Sequence, residues 1–321
     1  MKYFSEIIGT IDKEIDNLHY PKSPNLLYDP IKYIMGMQCK RMRPVLVLMS
    51  YQLFEDDFEK AIPAALAIEL FHNFTLLHDD IMDNAPIRRG RPTVHNKWNR
   101  NTAILSGDVM MIRAYQLLEK LEHNKLGKVL KVFNKTAVEV CEGQQLDMNF
   151  ETQENVNLAS YLKMIEYKTA VLLAASLQIG AIIADANKDQ QNQLYQFGIN
   201  IGIAFQLKDD LLDAFGTSEN FGKQIGGDIL AKKKTFLYLK ALDLADEMTK
   251  AKLNTLYSNN KKSKEKVKTV IKIYTELNIR NYTIDLMKSY YTKAMKHLHT
   301  IDSSKKDSLI LFADKLMERV S

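Results

Sequence analysis

Leu76-Leu77-His78-Asp79-Asp80-Ile81-Met82-Asp83 sets three carboxylates at the end of an apolar run. Phe205-Gln206-Leu207-Lys208-Asp209-Asp210-Leu211-Leu212-Asp213 repeats the pattern 130 residues later. Both read Asp-Asp-x-x-Asp. Positions i and i+4 share a helix face, so Asp79 projects with Asp83 and Asp209 with Asp213. Like charges at that spacing destabilise an isolated helix, and a cation between them removes the penalty. Carboxylate oxygens suit a hard ion, Mg²⁺ ahead of Zn²⁺.

With 22 Asp in 321 residues, random placement gives one such motif in about one chain in ten and two in well under ~1 in a hundred. A solvated acidic turn is the plain alternative for either copy taken alone. It fits poorly beside Phe71, Phe74, Leu76, Leu77 and Ile81, or beside Ile201, Ile203, Phe205, Leu207, Leu211 and Leu212.

The rest of the chain points to helices. All seven prolines lie at or before Pro92, and the 229 residues after it have none. That favours long uninterrupted helices, and neither strand alternation nor an Asn-Gly or Asp-Gly hairpin signal appears. Hydrophobic content of 46% is ample for a core, and the length allows one large domain or two ordinary ones. A net charge of +5 leans mildly toward anionic ligands. It is too small for a nucleic-acid partner, and no basic stripe interleaved with aromatics appears. Cys39 and Cys141 lie far apart without metal spacing or a secretory leader, which predicts free thiols in a cytoplasmic protein. The longest apolar run, Ala170 to Ala184, is too short to span a membrane and reads as a buried helix.

In chain order, Phe4, Ile7, Ile8, Ile11, Ile15 and Leu18 predict a first amphipathic helix over 2–18. Residues 20–30 read as a Pro-rich linker before a short helix at 30–36. Lys40-Arg41-Met42-Arg43 then gathers three cations at the start of an apolar helix. As a loop it is solvated; as an anion cradle it offers Lys40 as a point charge and Arg43 as a fork. A helix over 61–83 carries the first acidic motif. The loop Asn84 to Thr93 follows, with Arg88, Arg89, Arg91 and two prolines. Its arginines either neutralise the aspartates or form a shaped cationic lid that holds phosphate beside a metal. Ser106-Gly107-Asp108 reads as the start of another helix, with Asp108 in a capping role. Further helices are predicted at 127–150, 158–184 with Lys168-Thr169 at its middle, 190–215, 235–258, 262–278, 279–298 and 304–320. Between Phe221 and Thr235 a glycine-containing loop carries Lys223, Lys232, Lys233 and Lys234. It lacks the spacing of a Walker loop and reads as a cationic flap over phosphate.

Together these residues resemble the trans-isoprenyl (polyprenyl) diphosphate synthases. The two aspartate motifs, Lys40 to Arg43, Arg88-Arg89-Gly90, Lys168-Thr169, Phe205-Gln206, Gly222-Lys223 and Gly226-Gly227-Asp228 stand in that family's order. The resemblance implies an all-α isoprenoid-synthase-type helical bundle, a single polyprenyl synthetase domain over 1–321 with the two aspartate helices facing a central cavity, a homodimer, and Mg²⁺. It implies Asp79, Asp83 and Asp209 as direct metal ligands, with Asp80, Asp210 and Asp213 assisting. It assigns Lys40, Arg43, His72 and Arg89 to the diphosphate of isopentenyl diphosphate. Arg88, Lys168, Lys223 and Lys233 go to the allylic diphosphate, and Thr169 and Gln206 to the neighbourhood of the developing cation. The chain departs from the family at Gln38-Cys39, where Gly-Gly is common, and at Ala231-Lys232, where Glu-Gly is common. Lys233 is the best match for the flap lysine.

The implied reaction is head-to-tail prenyl transfer through an allylic carbocation. Phe74 stands five residues before Asp79, about 7.5 Å along a helix axis. In the family an aromatic there limits the product, and the small Thr75 beside it favours the twenty-carbon geranylgeranyl diphosphate over farnesyl diphosphate. Met110, Met111 and Tyr115 are alternative floor residues. A terpene cyclase would carry a different second motif, and a non-catalytic partner subunit would be expected to lack some of the six aspartates.

Overall fold

The computed structural model describes residues 2–153, 155–216, 225–259 and 263–317. It is 78% helical, and among the described residues the β-structure is one pair of two-residue strands. The all-α expectation holds. The chain forms two compact units. One comprises the chain up to Lys135, Ala175–Leu194 and Ser303–Lys305; the other comprises Thr136–Ala174, Tyr195–Asp302 and the chain from Lys306.

In the first unit α1 (Lys2–Asp16) buries Ile7, Ile11 and Ile15, as its periodicity predicts. The Pro-rich segment is shorter than expected. Helix α2 (Asn25–Met35) begins after Pro24 and tolerates Pro30 in its second turn, where one backbone donor is lost. Helix α3 (Met42–Gln52) is buried from Pro44 to Tyr51. Helix α4 (Ile62–Met82) is buried on several faces through Phe71 and turns amphipathic only near the acidic motif.

After α4 the strands Ile87–Arg88 and Arg91–Pro92 pair antiparallel. The two residues between them, Arg89 and Gly90, both have positive φ, at 51° and 74°. Both central residues of a two-residue type I′ hairpin take positive φ, a geometry the dipeptide Arg-Gly does not advertise. Helix α5 (Val94–Lys97) leads to α6 (Arg100–Leu118), which starts six residues earlier than expected because Asn99 caps it by accepting from Thr102 N. Asp108 is therefore an exposed mid-helix residue and not a cap.

Helix α7 (His123–Thr152) is followed by α8 (Leu158–Ile165), a π-helical turn (Glu166–Ala170), α9 (Val171–Ile183) and α10 (Lys188–Phe215). The stretch Leu158–Ile183 is long and apolar enough by composition to cross a membrane, but 72% of its most apolar window is buried inside the protein. The segment predicted as one helix over 235–258 is two, Phe236–Leu244 and Glu247–Ser258. Asp246 caps the second by accepting from Thr249 N. Helices Lys264–Glu276, Ile279–His299 and Asp307–Met317 complete the second unit's packing. Tyr161, Leu207, Leu237, Val270 and Tyr274 lie at that unit's core.

Candidate active site

In the first unit the C-terminal turns of α4 present the first motif. Asp83 follows the last helical residue but keeps helical dihedrals, and its N–H bonds Asp79 O at 2.9 Å, so the two carboxylates stay in i,i+4 relation. Asp79 is half-buried and Asp83 exposed, whereas Asp80 is buried. Arg88, on the first strand of the hairpin, grips Asp80. Its Nε donates to both carboxylate oxygens at 2.8 Å, and Nη2 lies 2.7 Å from Asp80 Oδ1 and 3.5 Å from Asp79 Oδ2. Burial raises the Asp80 carboxyl above the usual range, against the pull of Arg88. The hairpin is itself anchored. Thr93 Oγ1 donates to Ala85 O at 2.7 Å, and Tyr33 Oη donates to Pro92 O at 2.9 Å. Of the two readings of the arginine loop, Arg88 satisfies the neutralising one in this state.

The cations around Lys40 divide between two jobs. Lys40 is exposed. Arg41, which had no assigned role, is a buried tie: Nε to Asp12 at 2.9 Å, Nη1 to Glu69 at 2.7 Å and Nη2 to Met35 O at 2.7 Å. It thereby joins α1, α2 and α4. Arg43 turns instead to His72, with Nη1 to Nε2 at 3.0 Å. Because the guanidinium donates, Nε2 accepts, and the ring proton sits on Nδ1. Burial and the nearby Arg43 and Arg89 push the His72 imidazole well below its usual 6.5, so it is neutral. Burial and Arg89 lower Arg43 to about 10, against the opposite pull of Glu69, which leaves it charged at neutral pH. Arg89 Nη1 reaches Asn73 Oδ1 at 3.4 Å. Arg43, His72 and Arg89 thus share one electrostatic neighbourhood. Phe74 is half-buried, 5.8 Å from the Phe71 ring and 4.7 Å from that of His78.

In the second unit α10 carries the second motif on an approach face of small residues. A Cβ on Gly198 would lie 2.4 Å from Ala174 Cα, and one on Gly202 would lie 2.6 Å from Ala170 Cα. With no side chain at these two positions, the backbones meet. Gln206 and Asp210 continue the same i,i+4 face. Thr169 Oγ1 therefore donates to Gln206 Oε1 at 3.1 Å, while Gln206 Nε2 donates to Asp210 Oδ1 at 3.0 Å. The buried Tyr161 hydroxyl donates to Asp210 Oδ2. Burial and Asp228 raise the Asp210 carboxyl well above the usual range. Asp213 accepts from Asp228 N at 3.0 Å and from Gly226 N at 2.7 Å, which pins Gly226-Gly227-Asp228 to the motif. Asp209 is the more exposed of the three aspartates.

Lys168 and Thr169 stand in the π-helical turn, an irregularity common at functional sites. Lys168 Nζ pairs with Asp147 Oδ2 at 2.5 Å. An open pocket of about 640 Å³ is lined by Lys168, Thr169, Gln206, Asp210, Asp228 and Lys233, among others. Lys232 Nζ bonds Ser258 O at 3.1 Å and Lys234 Nζ bonds Gln153 O, while Lys233 N–H bonds Asp228 O at 2.9 Å. Lys223 and Phe221-Gly222 lie outside the described residues. Sequence reasoning missed Tyr161, Asp147 and the π turn. Tyr161 is 49 residues from its partner, and no local pattern signals that contact.

The polyprenyl synthetase family model matches residues 24–274. The chain belongs to that family. A short chain isoprenyl diphosphate synthase of Methanocaldococcus jannaschii is 40% identical over 274 residues, covering 85% of this chain and 83% of its own. A geranylgeranyl diphosphate synthase of Methanosarcina mazei is 36% identical over 312 residues, covering 96% and 94%. A solved geranylgeranyl pyrophosphate synthase superposes with a TM-score of 0.95 at 43% identity, over 99% of both chains. The family is one of trans-prenyltransferases, and this enzyme is of that kind.

Proposed function

We propose that the enzyme condenses isopentenyl diphosphate with allylic diphosphates, head to tail, to an all-trans product of twenty carbons. The observation that carries this reading is the division of labour within each aspartate motif. Asp79, Asp83 and Asp209 reach solvent, while Asp80, Asp210 and Asp213 are buried on protein partners. That split supports Asp79, Asp83 and Asp209 as ligands and the other three as supports.

The donor set fits Mg²⁺. Among the described residues no three His, Cys, Asp or Glu side chains converge into a closed metal cluster. A site supplying one or two carboxylates and leaving the rest to water and phosphate oxygens is the Mg²⁺ habit. When bound, Mg²⁺ would neutralise charge on the departing diphosphate. The side chains do the rest. Arg88, Lys168, Lys223 and Lys233 hold the allylic diphosphate, the first two after leaving Asp80 and Asp147. Lys40, Arg43, His72 and Arg89 hold isopentenyl diphosphate, with neutral His72 accepting from Arg43 and fixing its fork. Thr169 and Gln206 turn oxygen toward the developing allylic cation, and apolar walls exclude the water that would quench it. The double bond of isopentenyl diphosphate then attacks and a proton leaves to the released diphosphate.

The relatives' names and the Phe74-Thr75 pair support the product length. The exposed Ile104, Leu105 and Ile112 of α6 support a homodimer. Two free cysteines support a reducing cytoplasm. Asp79→Ala and Asp209→Ala test the reading. Each should abolish turnover while leaving the far-ultraviolet circular dichroism and thermal midpoint close to wild type. Retained turnover in either would remove that residue from the ligand set.

A further inference from the structure

We infer that His78 is a specificity-determining residue, holding Phe74 in place as the floor that ends chain growth. This rests on the reading of Phe74 given above. The ring of His78 lies edge-on to Phe74 at 4.7 Å and 64°, one helical turn nearer the metal-binding carboxylates. Two features fix that ring from the side of α6. Its Nε2 donates to Ile104 O at 3.3 Å. Its whole outer edge lies where a side chain at position 107 would be: a Cβ on Gly107 would sit 2.4 Å from Nε2, 2.8 Å from Cδ2 and 3.3 Å from Cε1. Gly107 is thus the slot into which the imidazole fits.

On its other side Phe74 leans on Phe71, and Phe71 on the buried Phe133, with ring centroids 5.8 and 5.2 Å apart. Phe74 is therefore held between the buried Phe71–Phe133 pair and one imidazole. That pair is core, so the imidazole is the support that can be removed without a cavity in the core. An edge-to-face pair holds its rings with enough preference to bias a rotamer several-fold. Without the imidazole, Phe74 swings into the vacated space and the growing tail passes.

The test is a four-way comparison of wild type, Phe74→Ala, His78→Ala and the double variant, each sized for product chains after removal of phosphate. His78→Ala should raise the ratio of twenty-five- to twenty-carbon product about five-fold. Phe74→Ala should raise it at least as far, and His78→Ala should add nothing in the Phe74→Ala background. His78→Phe keeps an aromatic edge but loses the hydrogen bond that fixes the ring, and should shift the ratio less than His78→Ala does. An unchanged distribution in His78→Ala, an equal further shift in the Phe74→Ala background, or a shift in His78→Phe as large as that in His78→Ala would each overturn the inference. No shift in Phe74→Ala would overturn it too, by removing the floor. Failure of wild type to incorporate isopentenyl diphosphate would instead strike the functional reading itself.

Discussion

Glu69→Gln removes the charge that holds the buried Arg41. Glu69 and Arg41 are buried to 1% and 4% side-chain exposure and meet at 2.7 Å. Truncating one partner of such a pair costs about 3–5 kcal/mol, because the other charge stays buried. Arg41 keeps Asp12 at 2.9 Å, but that carboxylate is 50% exposed, and a contact so screened is worth at most about 1 kcal/mol. Its Met35 carbonyl contact also survives. The expected loss is therefore near the lower limit, about 3 kcal/mol, or roughly a hundred-fold in the folded ratio. The chain has one tryptophan, Trp98, in the same unit as the pair. Urea unfolding followed by its fluorescence reads that unit, and the midpoint should fall by about 1 M. Arg41→Met in the Glu69→Gln background should recover part of the loss, since an apolar replacement leaves no orphaned charge. A midpoint within about 0.2 M of wild type for Glu69→Gln, or no recovery in the double variant, would refute the view of Arg41 as a structural tie.

Tyr161→Phe deletes the hydroxyl that orients Asp210 and should raise the Mg²⁺ concentration for half-maximal activity by about ten-fold or more, with activity recovering at saturating metal. An unchanged metal response would make Tyr161 packing only. Gly202→Ala should push α10 from Ala170, cost about 1–3 kcal/mol by overpacking and separate Thr169 from Gln206, so both thermal midpoint and turnover fall; an intact turnover at 25 °C would show that the Thr169–Gln206 bond is dispensable. Folded His72 holds its proton less tightly than the unfolded chain does. Its contribution to stability is complete above about pH 6.5 and is lost as pH falls through that value toward the folded pKa. His72→Gln should flatten the pH dependence of the urea midpoint between pH 7 and 5; an unaltered slope would place the titration elsewhere.

How much was legible beforehand varied with sequence distance. The absence of proline after Pro92 is a local fact, and it sufficed for an all-α fold. The i,i+4 reading of Asp79 with Asp83 survives even though Asp83 lies past the helix end, since a terminal turn keeps its dihedrals. The break near Ala245 was missed because Asp246 resembles any surface acid until its side chain is seen on Thr249 N. The hairpin was missed because Arg89 occupies a positive φ that its side chain does not favour. Lys40, Arg41 and Arg43 are adjacent in sequence and alike in charge. Only the position of Glu69 on another helix makes Arg41 structural and leaves Arg43 to face His72. The π turn has no sequence signature of its own, yet it carries Lys168 and Thr169.

Incubation of the purified enzyme with Mg²⁺, labelled isopentenyl diphosphate and, separately, dimethylallyl, geranyl and farnesyl diphosphates tests the central claim most directly. After phosphatase treatment a twenty-carbon linear alcohol should dominate with each starter. Cyclic hydrocarbons, or no incorporation of label from any of the three, would contradict it.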